Sequence, residues 1–255
     1  MRAGTLDLDA TRAHLMRLGF THVVPILGDL VEEGVRQKKT PHEVLHDVLD
    51  AEVVFREERR VSTSLKLSGL PPGKTMETFD FAFQPGVERA HVLTLATCEY
   101  LSKKENILLL GPPGVGKTHL AAALGAKAVL NGFCVSFMQL DELVHALKRD
   151  AEVAPNRLNG KRYLKSTLLI IDEVGFTPLD RRESNLFFRL ISHRYERVST
   201  VLTSNKGIAD WPEVFAGDEV ITTAILDRLL HHAQVFNIKG RSYRMRSIGD
   251  RMQRS

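Results

Sequence analysis

Cysteine is scarce in this sequence, since its 255 residues include only Cys98 and Cys134. Two cysteines without a CxxC pair exclude a disulfide-rich scaffold and are typical of buried, reduced thiols. Long apolar runs are also lacking, and none approaches the roughly 18–20 residues that cross a bilayer. The first residues include Asp7 and Asp9 but no apolar segment, so a secretory signal is not expected. These absences predict a cytoplasmic protein without membrane association.

A marked excess of one charge sign is lacking as well. The 35 Lys and Arg residues face 31 Asp and Glu residues, which gives a formal net charge of +4. Such a small excess permits a nucleic-acid partner without requiring one. With 43% hydrophobic and 26% charged residues, the chain is too apolar to be disordered. Its length predicts one or two domains.

The first 70 residues predict a small helical domain, because apolar residues recur there at helical spacing. Thr40 and Glu43 form a capping box at the start of one helix. That helix is expected to place on one face Val44, Leu45, Val48, Leu49 and Val53. The chain-breaking segment Gly69–Gly73 then predicts a boundary between domains at 1–70 and 71–255.

From about residue 79, short apolar runs alternate with helical segments. The runs are Asn106–Leu110, Phe133–Met138, Thr167–Ile171, Ser199–Thr203 and Gln234–Ile238. Near-continuous apolar strands separated by helices indicate a parallel sheet that is covered on both faces. The sequence therefore predicts an α/β domain with a five-stranded parallel sheet flanked by helices, preceded by the all-α domain.

A glycine-rich segment follows the first of these strands and matches the pattern G-x-x-x-x-G-K-[ST]. It consists of Gly111, Pro112, Pro113, Gly114, Val115, Gly116, Lys117 and Thr118. Glycines let backbone N–H groups surround a phosphate, and the following helix N-terminus adds positive potential. Lys117 would pair with the β- and γ-phosphates and Thr118 would ligate Mg²⁺. The alternative is a glycine-rich turn that binds nothing, which the strand–loop–helix setting disfavours.

Two acids follow a second apolar strand, because Leu168–Ile171 leads directly into Asp172 and Glu173. The carboxyl edge of a parallel sheet is where ligands bind in open α/β folds. Asp172 is expected to hold Mg²⁺, mainly through its water, and Glu173 to polarise the water that attacks the γ-phosphate. The alternative is a strand end with two solvated acids. The intervening strand Phe133–Met138 suggests that a strand lies between the two motifs in space.

Two later residues complete the pattern. Asn205 ends a strand near the expected γ-phosphate, where it would orient the attacking water, although Ser204-Asn205 alone is a plain turn signal. Arg228 lies on a predicted helix and would reach the γ-phosphate of a neighbouring subunit as an arginine finger. The alternative for Arg228 is a surface side chain paired locally with Asp227.

These four elements in this order resemble the AAA+ ATPases, a P-loop class, of the initiator and helicase-loader group, which includes DnaC-like proteins. Within that group the sequence is most similar to the IstB-like transposition helper ATPases. The resemblance covers nearly the whole chain. It is carried by KTMETFDFAFQP at 74–85, GPPGVGKTHLA at 111–121, LLIIDEVGFTPLD at 168–180, NLFFRLISHRYERVSTVLTSN at 185–205, AILDRLLHHA at 224–233 and Gly240–Arg244.

The resemblance implies an ATPase that uses ATP and Mg²⁺ in the bacterial cytoplasm, in association with the nucleoid. It also implies duplex DNA and a cognate transposase as partners, and a homo-oligomeric ring or helical assembly promoted by ATP and DNA. The N-terminal domain would bind DNA or a partner. By motif match, nucleotide binding and hydrolysis fall to Lys117, Thr118, Asp172, Glu173, Asn205 and Arg228. The usual lid arginine has no clear match, and Arg241 and Arg244 are the candidates.

A basic segment precedes the second acid-bearing strand. Its cations are Lys148, Arg149, Arg157, Lys161, Arg162 and Lys165, against only two acids. In ring-forming AAA+ proteins this region faces the central channel, so we expect it to contact DNA phosphates without reading sequence. The alternative is a solvated charged loop.

His231-His232 does not predict a metal site, because no third ligand lies at a fitting spacing and adjacent residues do not share a helix face. For the whole protein, the alternative within the same class is a DnaC-like loader of the replicative helicase. A protein-remodelling AAA+ ATPase would require an apolar pore loop, and the basic segment offers only Tyr163. A nucleotide-binding adaptor without turnover would not need Glu173 or Arg228.

Overall fold

The computed structural model describes residues 8–152 and 161–246. The chain divides into two units, residues 1–63 and residues 64–255. The division falls within a long helix that ends shortly before the predicted boundary at residue 70. In the parts of the chain that are described, no helix is both long and apolar enough to cross a membrane.

Three helices form the first unit. They are α1 (Leu8–Arg17), α2 (Val23–Arg36) and α3 (Pro41–Ser68), the last of which extends into the second unit. The predicted capping box is present, since the backbone N–H of Thr40 donates to Glu43 and that of Glu43 donates to Thr40 Oγ1. Of the face predicted for this helix, Val48 is buried and packs against α2. Three of its other residues are exposed, namely Leu45, Leu49 and Val53.

The N-terminus of α2 is capped by a side chain from α3. The buried Glu52 carboxylate accepts the backbone N–H groups of Thr21, His22 and Val23 at 2.9–3.1 Å. These amides have no partner within their own helix, so an acid from a remote position replaces the usual local cap. Arg56 joins Glu52 to the carbonyl of Gly19 and closes the arrangement.

The second unit contains a five-stranded, all-parallel sheet. Its strands are β1 (Asn106–Leu110), β2 (Val135–Gln139), β3 (Leu168–Val174), β4 (Ser199–Ser204) and β5 (Ala233–Asn237). Their spatial order is β2-β3-β4-β1-β5. The predicted α/β fold class is thereby confirmed. A strand does lie between β1 and β3, as expected, but this strand is β4. The strand that the sequence suggested for that position, Phe133–Met138, corresponds to β2 and lies at the edge of the sheet.

Helices cover both faces of this sheet. They are α4 (Arg89–Leu95), α5 (Glu99–Ser102), α6 (Lys117–Leu130), α7 (Leu140–Ala151), α8 (Arg162–Lys165), α9 (Arg181–Arg194), α10 (Trp211–Val214) and α11 (Glu219–Leu230). Alternate strand residues pack on opposite layers, so that Ile107 and Leu109 contact the α6 side while Leu108 and Leu110 contact the side of α7, α9 and α11. Burial on both faces explains why the strands are apolar at consecutive positions.

Candidate active site

The glycine-rich loop joins β1 to α6 at the carboxyl edge of the sheet. Gly111 has φ +146° and Gly116 has φ +96°, conformations that residues with a Cβ rarely adopt. A Cβ on Gly111 would lie 2.2 Å from the carbonyl oxygen of Ile238, and one on Gly116 would meet the Phe79 ring at 2.7 Å. The loop path therefore requires glycine at both positions, and α6 begins directly at Lys117.

Lys117 occupies the concave side of this loop. Its Nζ donates to the carbonyl oxygens of Gly111 at 2.7 Å and Pro112 at 2.8 Å. Burial lowers the pKa of Lys117, nearby Asp172 opposes that shift, and Arg244 adds to it. In the described part of the chain its partners are these two neutral carbonyls, and the ammonium is well placed to exchange them for a stronger anionic partner.

Asp172 is buried on β3 and faces the start of α6. Its Oδ1 accepts one hydrogen bond from Thr118 Oγ1 at 3.0 Å and a second from Thr203 Oγ1 at 2.5 Å. The sequence predicted Thr118 and Asp172 as ligands of one ion, and the fold brings the two together. The role of Thr203 was not predicted, although a threonine inside a buried strand, two residues before a polar strand end, was a usable signal.

Glu173 follows in a left-handed backbone conformation, with φ +65°. The register between β3 and β4 shifts here, between Ile171 and Val174. The backbone N–H of Glu173 donates to Thr203 Oγ1 at 3.0 Å, so the irregular backbone is held by the neighbouring strand. The Glu173 side chain lines a cavity of about 170 Å³ together with residues of α7 and α9.

Asn205 immediately follows β4, the strand between the loop strand and the acid strand. In the described part of the chain, its Oδ1 is buried without a hydrogen-bond partner. Asn205 lines a cavity of about 480 Å³ together with Gly111 and Pro112 of the glycine-rich loop. A buried acceptor beside that loop is suited to bind a water or a ligand group.

A third cavity, of about 250 Å³, lies on the N-terminal side of α6. Its walls come from the glycine-rich loop, from the 74–85 segment and from the chain near residue 243. Phe79 packs edge-on against His119, whose Nε2 lies 2.8 Å from the carbonyl of Thr75. Tyr243 and Arg244 face the same cavity, which places Arg244, one of the two lid candidates, near Lys117.

Arg228 makes no described contact with the glycine-rich loop or the acids of β3 in the same chain. It lies on α11, where its guanidinium stacks 4.9 Å from the Phe188 ring and donates to the Ala224 carbonyl at 2.8 Å. The described contacts of Arg228 are therefore with α9 and with its own helix.

The cations of the predicted basic segment differ in their surroundings, because some have partners within the second unit and others are exposed. Lys148 pairs with Glu183 at 2.5 Å, and Lys161 pairs with the buried Asp150 at 2.8 Å. Arg162 donates to the carbonyls of Leu67 and Val135. These three cations have structural partners inside the unit. Two cations are exposed, Arg149 and Lys165, although Arg149 Nε also lies 3.8 Å from the buried Asp150 Oδ1. Arg157 lies outside the described residues.

Comparison with known proteins agrees with this geometry. Residues 13–250 match the family described as IstB-like ATP binding protein. A relative from Pseudomonas aeruginosa, named for insertion sequence IS21, is 47% identical over 234 residues, covering 91% of this chain and 87% of its own. A relative from Geobacillus stearothermophilus, named for insertion sequence IS5376, is 44% identical over 204 residues, covering 80% and 81%.

The fold is also found in solved structures. The AMPPCP-bound DnaA from Aquifex aeolicus superposes with a TM-score of 0.52 at 22% identity, covering 73% of this chain and 56% of that one. This similarity concerns the AAA+ fold alone, whereas the family match and the two relatives span most of the sequence. The chain belongs to the family of IstB-like ATP binding proteins.

Proposed function

We propose that this protein hydrolyses ATP and, in its ATP-bound form, assembles on duplex DNA to recruit or activate the transposase of an insertion sequence. The observation that carries the hydrolytic part is the contact between Thr118 of the glycine-rich loop and Asp172 of the acid strand, with Glu173 next to it. The transposition context is supported by the insertion-sequence names of the relatives at 47% and 44% identity.

The residues at this edge fit a magnesium ion. Thr118 Oγ1 and Asp172 Oδ1 lie 3.0 Å apart and are hard oxygen donors of the kind that Mg²⁺ prefers. They would hold the ion directly or through its waters. When bound, the ion neutralises charge on the β- and γ-phosphate oxygens.

The side chains of this protein would bind the phosphates, orient the attacking water and accept its proton. Lys117 exchanges the carbonyls of Gly111 and Pro112 for phosphate oxygens, because a charged partner gives a stronger hydrogen bond than a neutral one. Glu173 accepts a proton from the attacking water, and Asn205 orients that water through its buried Oδ1. The cavity beside Phe79 and Tyr243 would receive the base and the sugar.

The position of Arg228 supports the proposed assembly. Because its described contacts lie on α9 and α11, it would stabilise transition-state charge at the site of an adjacent subunit. DNA would be bound by contacts from Arg149 and Lys165 to the phosphate backbone, since these two cations of the basic segment remain exposed.

Sedimentation of the purified protein with and without duplex DNA, ATP and Mg²⁺ tests this proposal. We expect large assemblies only when ATP and DNA are both present, and duplex DNA should stimulate ATP hydrolysis. Stimulation by unfolded protein instead of DNA would indicate a protein remodeller. Capture of the replicative helicase but not of the transposase would identify a helicase loader, whereas capture of the transposase alone supports the proposal.

A further inference from the structure

Two turns that are remote in sequence bring three metal-binding side chains together at the amino-terminal edge of the sheet. Glu196 lies between α9 and β4, and His231 and His232 lie between α11 and β5. A carboxylate oxygen of Glu196 and one ring nitrogen of each histidine all lie within 4.8 Å of one another. The sequence argument against a metal at the histidines relied on the lack of a third ligand and on the rule that adjacent residues do not share a helix face. The fold supplies a third side chain, and the two histidines lie in a turn after α11 rather than within a helix. We propose that these residues bind a divalent transition-metal ion of the zinc class.

The donor set selects the class of ion. Two imidazoles and one carboxylate suit Zn²⁺ and its neighbours in the transition series, whereas Mg²⁺ prefers oxygen ligands alone. Zinc bonds of roughly 2.0–2.2 Å place tetrahedral ligand atoms about 3.3 Å apart. The Glu196 and His231 side chains are 54% and 49% exposed, so rotation about their side-chain torsions can close the gap. A water would occupy the remaining position.

One partly buried residue at the start of β1 fixes the two turns relative to each other. Asn106, at the start of β1, donates through Nδ2 to the Leu229 carbonyl at 3.0 Å and accepts the Thr200 N–H at 2.9 Å. Its own backbone N–H donates to the carbonyl of His232 at 2.7 Å. The side chain and backbone of Asn106 therefore hold the end of α11 and the start of β4 at a fixed distance. A metal site requires this kind of preorganisation.

The buried guanidinium of Arg194 fixes the turn that carries Glu196. Arg194 is only 2% exposed and donates to the carbonyls of Tyr163, Ser166 and Ser199. The adjacent Tyr195 hydroxyl lies 2.8 Å from Nδ1 of His231. The same Nδ1 lies 3.6 Å from Glu196 Oε1, so a bound ion would replace the Tyr195 hydroxyl at this nitrogen. The turn that carries Glu196 thus has a rigid base.

The proposal is tested on the full-length, untagged and metal-free protein. Zn²⁺ is titrated by calorimetry, Co²⁺ binding is followed by visible absorption, and Tm is measured with and without each ion. We expect one ion per chain and a rise of Tm on binding, since an ion that binds only the folded state stabilises it. Loss of a direct ligand in Glu196→Gln or His232→Ala should weaken binding more than 100-fold, whereas Tyr195→Phe, which keeps all three ligands, should not weaken it.

Two variants serve as matched controls. His193→Ala removes an exposed histidine of α9 outside the cluster, and Cys134→Ser removes an exposed thiol. Both should bind Zn²⁺ as the parent does. Binding that does not saturate, or that is unchanged in Glu196→Gln, would overturn the proposal, as would an equal loss in the His193→Ala control. If His232→Ala fails to fold, Glu196→Gln decides, because it alters one exposed carboxylate and keeps its shape.

Discussion

The hydroxyl of Thr203 contacts both acids of the candidate active site. Its Oγ1 donates to Asp172 Oδ1 at 2.5 Å and accepts the backbone N–H of Glu173 at 3.0 Å. The first contact orients the carboxylate that also meets Thr118, and the second holds Glu173 at a positive φ. A single side chain of β4 therefore determines where the proposed magnesium ligand and the proposed general base are placed.

Replacing Thr203 by valine preserves the shape of the side chain and removes both hydrogen bonds. A hydrogen bond to a charged group contributes about 1.5–3 kcal/mol, so we expect kcat for ATP hydrolysis to fall about 10- to 150-fold. ATP affinity should change by no more than a few-fold, because the glycine-rich loop is intact. Steady-state ATPase assays and equilibrium nucleotide binding measure the two quantities. Thr203→Ser should restore most of kcat, and equal activity in the two variants would contradict the assigned role.

Substitutions of Lys117 and Glu173 should separate ATP binding from ATP hydrolysis. Lys117→Ala is expected to lose ATP binding and every ATP-dependent property, because it removes the positive charge at the centre of the loop. Glu173→Gln should retain ATP binding and assembly but lose hydrolysis by about 100-fold or more, because the amide accepts no proton. Nucleotide binding and phosphate release distinguish the two variants. Unaltered hydrolysis in Glu173→Gln would mean that another group is the base.

Arg228 should act on the neighbouring subunit. Arg228→Ala is expected to bind ATP normally and to lose turnover by about 10³-fold or more. Mixing it with Lys117→Ala should recover part of the activity, because the intact finger of one variant then meets the intact loop of the other. The control is Arg189→Ala, which removes an exposed arginine of α9. Full turnover in Arg228→Ala, or no recovery on mixing, would argue against a role in trans.

The two exposed cations of the basic segment should contribute to DNA affinity without sequence preference. Replacing Arg149 and Lys165 together by glutamine is expected to reduce the slope of log affinity against log salt concentration by about 2. Binding titrations at several salt concentrations measure this slope. A variant with Lys103 and Lys104 replaced by glutamine has the same net charge and serves as the control. An equal reduction in both variants would reflect net charge rather than contact.

The cap on α2 should make the first unit sensitive to acid. Burial alone would raise the pKa of Glu52 from 4.5, but the amides of Val23, Thr21 and His22 and the Arg56 side chain outweigh it and lower the pKa to about 2. Because the folded pKa is depressed, the stabilisation is complete above about pH 4.5 and is lost as the pH falls towards 2.

Glu52→Gln should therefore lower the free energy of unfolding of this unit by about 1–3 kcal/mol at neutral pH. The difference from the parent should shrink below about pH 4.5, and urea unfolding at several pH values measures it. Glu57→Gln, which alters an exposed acid of the same helix, is the control. A difference between Glu52→Gln and the parent that persists unchanged at pH 2 would refute the capping role.

The sequence determined what depends on neighbours along the chain. Four features could be predicted, because each depends on local backbone geometry or on the period of apolar residues. They are the glycine-rich loop with Lys117, the two acids near the end of β3, the capping box at Thr40 and the α/β fold class. The conformations of Gly111 and Gly116 agree with that local pattern.

Only the tertiary structure decided which remote residues meet. Placing β4 rather than β2 between β1 and β3 brings Thr203 to Asp172, and pairing Lys161 with Asp150 removes it from the exposed basic surface. The approach of Glu196 to His231 has the same origin. These contacts depend on strand order and on the packing of helices across the sheet, which the pattern of residues within one segment does not specify.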